Sequence, residues 1–387
     1  MAELIVNELP VRTINKLSLN EEKLNIEEKS VDNTRYNDIK IVHMPKSVEC
    51  IKEISNDCVV TIFAKINEKI SKKNIEEEIP NNSNLRNSNQ VVRTGMGIDI
   101  DEFFEKKAIR SLLIKAKENH LEKDVVRLSA KADEYGNVLS RQVIIVPDNS
   151  SLTVIMDYTS EDNFKGLVGI STRFYVGKNS ELTLIKTQLL GNKTLHFDDV
   201  GGVVDDDGHV LFKQIEIGGQ KSYVGVYNTL LGDRSKSTNQ TGYIVGKDEK
   251  LDFNYISVQN GENTESDAVY RGVLLDNARK NWRGTIDFRK GSKDSIGDEN
   301  EDTLLLSENV ENRSIPIILC SEEKVDGHHG ATIGQLSQDM LFYMQTRGLT
   351  KQEAGKLLIK ARIDSIVRDI PDEKLVKVIE NKLENIL

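Results

Sequence analysis

The hydrophobic pattern changes period twice along the chain. Over residues 99–121, Phe103, Phe104, Ala108, Leu112, Leu113 and Ala116 recur at three-or-four spacing. That spacing predicts one amphipathic helix, with Asp99 and Asp101 as suitable caps. From about residue 125 the period shortens. Val125 to Leu128, Val143 to Val146, Leu152 to Tyr158 and Ser171 to Val176 are short, β-branched and partly alternating. Turns such as Tyr135-Gly136-Asn137 and Pro147-Asp148-Asn149 separate them, so the segments read as strands. An internal echo follows, starting near residues 176, 204, 245, 275 and 306, with many gaps close to thirty. In each unit an apolar residue precedes a polar turn and then an alternating strand. Strand–turn units with no helix between them predict stacked coils, a mainly β parallel β-helix (solenoid) in which neighbouring coils complete one core. On periodicity alone, a large antiparallel sandwich is the alternative.

After residue 333 the helical period returns. Ser337 is placed to cap a helix through Arg347, and Gly348 suits the left-handed position that ends it. Thr350 and Glu353 form a capping box that opens a second helix, with Ala354, Leu357, Leu358 and Ala361 on one face. Pro371 is expected in the first turn of a last helix, whose stripe is Leu375, Ile379, Leu383 and Ile386. Before residue 100 the chain is rich in Asn, Lys and Glu, and the run near 70–90 reads as a polar linker. The expected organisation is an N-terminal α-containing region over 1–122, a β-helix core over 123–333 and a C-terminal helical region over 334–387.

Charge and cysteine content narrow the function classes. Lys and Arg number 52 against 62 Asp and Glu, a net charge of −10, which disfavours a nucleic-acid binder. No apolar run approaches a membrane span. The three cysteines, Cys50, Cys58 and Cys320, share no short spacing, which argues against a zinc site or a disulfide framework. Their odd number and the lack of a signal-like start give the expectation of a reducing cytoplasm. No phosphate loop, complete dinucleotide fingerprint, GxSxG or HExxH occurs, so an autonomous NTPase, dehydrogenase, hydrolase or metalloprotease has no support.

Candidate chemistry is sparse. His328 and His329 are adjacent in VDGHHGAT, and on an extended strand they point to opposite faces. Cys320 lies seven residues before Gly327, and a Cys and a His on neighbouring coils can meet as metal ligands. Asp205, Asp206 and Asp207 read as a solvated turn. Asp294, Asp298, Glu299, Glu301 and Asp302 read as an exposed acidic loop, and such a cluster is what a carbohydrate-active β-helix enzyme would use.

Residues 282–363 resemble a known family. The matching pieces are the strand Trp282–Phe288, LLLS at Leu304–Ser307, the I-P-x-I-L strand at 315–319, HGAT-I-G at His329–Gly334 and LFYMQTRGL at Leu341–Leu349. In this order they are similar to the C-terminal half of the SufB/SufD proteins, scaffolds of Suf iron–sulfur cluster assembly. The resemblance implies a right-handed parallel β-helix between N- and C-terminal helical pieces. It implies a non-catalytic scaffold that holds no permanent cofactor and carries an iron–sulfur cluster only transiently. It also implies two partners: a SufC-type ABC ATPase, and a SufB-type scaffold or a second copy of the same chain. The ATPase would dock on the C-terminal helices, where Phe342, Tyr343, Arg347, Leu349, Leu357 and Leu358 are the candidates, unless they serve packing within the chain. His329 matches the family's HGAT histidine. Many SufD-type chains carry a Cys two residues earlier, where this chain has Gly327. The Cys that SufB carries just before the I-P strand is absent from Asn309 to Ser314. The likeness is therefore SufD-like, with His329, His328 and Cys320 as candidate assembly residues. A solenoid binding module without metal is the remaining alternative.

Overall fold

The computed structural model describes residues 2–13, 19–26, 35–36, 39–72, 92–108, 110–133, 136–335 and 337–386. The polar run expected near 70–90 lies outside them from residue 73 onward. From Arg110 onward the chain winds back and forth between two sheets. Strands β6 (Arg110–Lys115), β8 (Val138–Val146), β10 (Leu167–Val176), β12 (Leu195–Val204), β14 (Lys221–Leu230), β16 (Lys250–Gln259), β18 (Arg279–Phe288) and β20 (Glu311–Cys320) lie side by side in one sheet. Strands β7 (Leu121–Ala132), β9 (Ser151–Ser160), β11 (Glu181–Leu189), β13 (His209–Ile217), β15 (Lys236–Val245), β17 (Glu265–Leu274), β19 (Ser295–Leu305) and β21 (Val325–Gln335) form the other. Neighbours from β6 and β7 onward are parallel. This is a parallel β-solenoid, as expected, and not an antiparallel sandwich.

The register explains the irregular echo in the sequence. Ser151, Glu181, His209, Lys236, Glu265, Ile296 and Asp326 stack in one column, at steps of 27 to 31 residues. Strand length is nearly constant, so the variation sits in the turns. The tight corners need a left-handed residue, and Asn119, Asn149 and Asn179 supply it at φ near +50°. Their amides then link coil to coil: Asn149 Nδ2 donates to Asn119 Oδ1 and Asn179 Nδ2 to Asn149 Oδ1, each at 3.1 Å.

Alternate residues of each strand face the lumen between the sheets. There Val154, Leu184, Phe212, Val226, Phe253, Tyr270 and Trp282 join one continuous core. Burying each such side chain stabilises the fold by about 1.5–3 kcal/mol. Phe253 and Tyr270 stand 5.2 Å apart, and Tyr270 and Trp282 5.5 Å, so aromatic contact runs on from coil to coil.

The N-terminal region closes the first coil. Strand β4 (Lys40–His43) pairs antiparallel with β7, and β5 (Glu49–Ser55) antiparallel with β6. Helix α1 (Asn56–Lys72) and helix α2 (Ile98–Lys107) follow, α2 lying against β8. A hairpin of β1 (Ala2–Val6) and β2 (Glu22–Ile26) packs on α2. The helix expected over 99–121 thus ends at Lys107. Leu112 and Leu113 belong to β6, which is buried on both faces, and such a strand reads as a continuous apolar run rather than an alternating one. Nor do the two aspartates cap the helix. Gly97 is its N-cap; Asp99 accepts from the Ile5 N–H, and buried Asp101 pairs with Arg173.

The C-terminal helices are α3 (Gln338–Thr346), α4 (Lys351–Val367) and α5 (Glu373–Ile386). Ser337 accepts from the Met340 N–H, Gly348 takes φ +93°, and Thr350 and Glu353 complete the capping box, all as expected. Pro371 instead precedes Asp372, whose carboxylate accepts from the Lys374 and Leu375 N–H groups and so opens α5. The packed face of α4 is also not the expected one. Ala354, Ile359, Ile363, Ile366 and Val367 are buried, whereas Leu357 and Ala361 face out. Ile363 settles over Gly242, where an added Cβ would lie 3.0 Å from its Cγ2; the missing side chain lets α4 lie close on the sheet.

Candidate functional site

The two ends of the solenoid differ. At the start, β4 and β5 cover the edges of the first coil. At the finish, among the described residues, β20 pairs only with β18 and β21 only with β19. The last coil therefore presents two strand edges, and its residues are mostly exposed or half-buried. Unpaired edges of this length invite pairing with another chain.

The three candidate assembly residues lie on this last coil. His329 stacks on Glu299 and His328 on Asp298. Glu299 is buried in the lumen and Asp298 is partly exposed on the outer face, so the histidines diverge as the alternation requires. His328 stays outside, with Nδ1 3.6 Å from Asp298 and Nε2 3.3 Å from Asp326. His329 stands at the mouth of the lumen. Cys320 ends β20 on the column of Phe288, and its thiol donates to the Glu322 carbonyl at 3.0 Å. Gly327 lies over the same Phe288, where an added Cβ would meet the ring at 2.9 Å. Cys320 thus shares the lumen side with Gly327 and His329. Among the described residues, no group of three or more His, Cys, Asp or Glu converges into a metal-holding set.

Four of the five acids expected as an exposed loop lie on strand β19, and two of them, Glu299 and Glu301, point inward. Glu301 is buried, in contact with Lys280 Nζ and Ser314 Oγ, and accepts from the Tyr243 hydroxyl at 3.2 Å. Glu299 is equally buried, and neither of its oxygens has a hydrogen-bond partner among the described residues. Burial alone pushes its carboxyl well above the usual range. Glu299 and Glu301 are not presented to a polysaccharide, which removes two of the five acids on which a carbohydrate-active reading rested. The Asp205–Asp207 turn is occupied with its own salt bridges. Asp206 meets Lys178 at 2.6 Å, and Asp207 takes Arg234 through two bonds of 2.6 and 2.7 Å.

Further buried charges lie deeper in the lumen. Lys186 pairs with Asp198, and His196 Nδ1 lies 2.9 Å from the Val168 carbonyl oxygen. Burial holds the His196 pKa down at about 4, so the ring is neutral near pH 7. Nothing in a single sequence marks these residues except a charge at an inward position of an apolar strand, and that signal appears only once the register is known.

The C-terminal candidates divide into two groups. Phe342, Tyr343 and Leu357 are 68%, 58% and 53% exposed. Arg347 covers part of the Tyr343 ring, with its guanidinium carbon 5.3 Å from the centroid. Leu349 and Leu358 are half-buried, and Leu358 packs toward the sheet beside Ile359. An exposed apolar group on a helix pair is the usual mark of an interaction surface.

Comparison with known proteins bears directly on this arrangement. Residues 127–362 match the family model described as SUF system FeS cluster assembly, SufBD core domain. The chain is 26% identical over 249 residues to the iron-sulfur cluster assembly protein SufD of Bacillus subtilis, covering 62% of this chain and 57% of that protein. It is 20% identical over 239 residues to an iron-sulfur cluster assembly SufBD family protein of Staphylococcus saprophyticus, covering 62% and 51%. A SufD of Plasmodium berghei matches at 22% over 249 residues, but only 18% of that longer protein is covered. The chain spans little more than half the length of the bacterial relatives. No helix among the described residues is long and apolar enough to cross a membrane. The matched segment runs from β7 into α4 and takes in more than half of the chain, so the protein belongs to the SufBD family.

Proposed function

We propose that this protein is a SufD-like scaffold subunit that takes part in iron–sulfur cluster assembly without catalysing a reaction itself. The observation that carries the reading is the asymmetry of the solenoid: a closed N-terminal end, and an open end where β20, β21 and His329 await a second surface. A SufB-type scaffold, or a second copy of this chain, pairs there. Iron and sulfide are then cargo, held by a few donors shared between two chains and not by a closed protein cage. His329 is the main donor from this chain, and Cys320 and His328 stand nearby. Few ligands and a shared site keep the cluster labile, as transfer to a recipient requires. No cofactor stays bound.

Energy enters from a SufC-type ABC ATPase seated on Phe342, Tyr343, Arg347 and Leu357. Leu341, next to Phe342 in the chain, is the buried residue of α3, and α3 packs on α4. Movement of the docked ATPase reaches the coil just before the last through α4, because Arg362 on α4 pairs with Asp302 on β19, and β19 pairs with β21. The three cysteines are free, which fits a reducing cytoplasm.

The test is an anaerobic pull-down with the host's Suf ATPase and SufB-type chain, read by native mass spectrometry. A complex holding all three chains supports the SufD-like role. Two copies of this chain with two of the ATPase make it a self-pairing scaffold. No complex with either overturns the reading.

A further inference from the structure

Glu299 and Glu301 stand two residues apart on β19, face the same lumen and are both buried. Their surroundings are opposite. Glu301 is matched by an ammonium and three hydroxyls, from Lys280, Tyr243, Thr303 and Ser314. That is a completed structural network. Among the described residues, Glu299 has no donor on either oxygen. A buried carboxyl group with no partner is destabilising, and more so if charged. The fold nonetheless makes room for it. On the facing strand stands Gly284, where an added Cβ would lie 2.7 Å from Glu299 Oε2 and equally close to the Trp282 ring. Only one rung, the last, separates Glu299 from solvent. The residue directly above it in the column is His329.

We propose that Glu299 is a second protein ligand of the cation-accepting site at the open end, set one rung behind His329. The inference rests on the reading of this end as the assembly site. It adds a carboxylate oxygen to the imidazole nitrogen, a mixed donor pair suited to a ferrous-type divalent cation. The cation supplies the partner that Glu299 lacks in the free chain. The mating chain or solvent fills the other positions. Glu301, two residues on, stays a framework residue.

The test uses the full chain, anaerobically, with Co²⁺ as the probe and visible absorption as the readout. Wild type is expected to take up one Co²⁺ per chain. His329→Ala and Glu299→Gln should each weaken that binding at least tenfold, while Glu299→Gln melts at or above the wild-type temperature. Gly284→Ala, which places a methyl where the carboxylate lies, should weaken binding with both ligands still present. Glu301→Gln should lower the melting temperature and leave Co²⁺ affinity within about twofold. Wild-type affinity in Glu299→Gln, or no Co²⁺ uptake by wild type, overturns the assignment. Either result leaves the scaffold reading to the three-chain pull-down, which fails or succeeds independently of Glu299.

Discussion

The first and last coils of this solenoid are built from similar strands but end differently. In the first, β6 and β7 are covered on their outer edges by antiparallel β5 and β4, and Phe63 and Val59 of α1 pack over Leu113 and Val143. In the last, Ile315, Pro316, Ile317 and Ile318 of β20 remain half-buried beside an uncovered edge. A solenoid coil cannot bury its apolar side without a neighbour. The covered end supplies that neighbour from its own chain, at the entropic cost of ordering an N-terminal region. The open end has no such cover among the described residues. On the proposed reading, stability and partner binding fall to opposite ends of the solenoid.

Three measurements sharpen or break this contrast, the largest effect first. The same substitution should be costly near the closed end and mild at the open one. Ile144→Ala on β8, fully buried in the core, is expected to destabilise the chain by about 2–5 kcal/mol. Ile318→Ala on the last coil should cost under about 1 kcal/mol in the free chain, because its site is only partly desolvated. Urea unfolding of both variants reads the difference, and equal losses would mean that the last coil is already closed.

The next effect comes from the lumen between the two ends. His196 holds a folded-state pKa of about 4, against 6.5 unfolded. The unfolded chain therefore binds the extra proton between those values. Stability from the neutral ring is present above about pH 6.5 and is lost as pH falls toward 4. The loss is on the order of 3 kcal/mol. Buried acids such as Glu216, raised by burial, titrate in the opposite sense, so the informative quantity is a difference between two curves. The gap between wild type and His196→Leu should close or reverse as the pH drops from 7 to 4.5. A gap constant with pH would place the ring in contact with water.

The smallest effect lies at the C-terminal helices. Thr350→Ala removes the capping box of α4 and should lower stability by about 1 kcal/mol. Hydrogen exchange should show that loss in the first turn of α4 and leave the strands of the last two coils unchanged. Faster exchange in β19 would show that helix and open end are coupled more tightly than the Arg362–Asp302 contact implies.

Local signals carried much of this architecture. The strand–turn grammar, the turn asparagines and the caps at Ser337, Gly348, Thr350 and Glu353 all act within a few residues, so each is legible in a single chain. The misreadings occur where a distant element decides. Leu112 and Leu113 look helical until β5 and β8 flank them. The acidic run at 294–302 looks like a solvated loop until Lys280 and Gly284 face it from the opposite sheet. The spacing of Ala354, Leu357, Leu358 and Ala361 predicts one face of α4, but the sheet takes Ile359 and Ile363 instead, and Gly242 lets Ile363 approach closely. The candidate site was legible in part for the same reason. A motif marks His329, whereas Glu299 becomes visible only through the register.

By itself, the sequence determined that this is a coil-stacking β protein with a helical C-terminus, no motif for autonomous catalysis and a histidine in a family signature. Period, turn chemistry and capping are local, and local free energies do not depend on what packs above. Only the tertiary structure decided which end of the rod stays open, which charges enter the lumen, and which of two like carboxylates is left without a partner. Those outcomes depend on contacts between residues that are dozens to hundreds of positions apart. Burial turns a surface charge into a demand for a partner, and the chain meets that demand at Glu301 but not at Glu299.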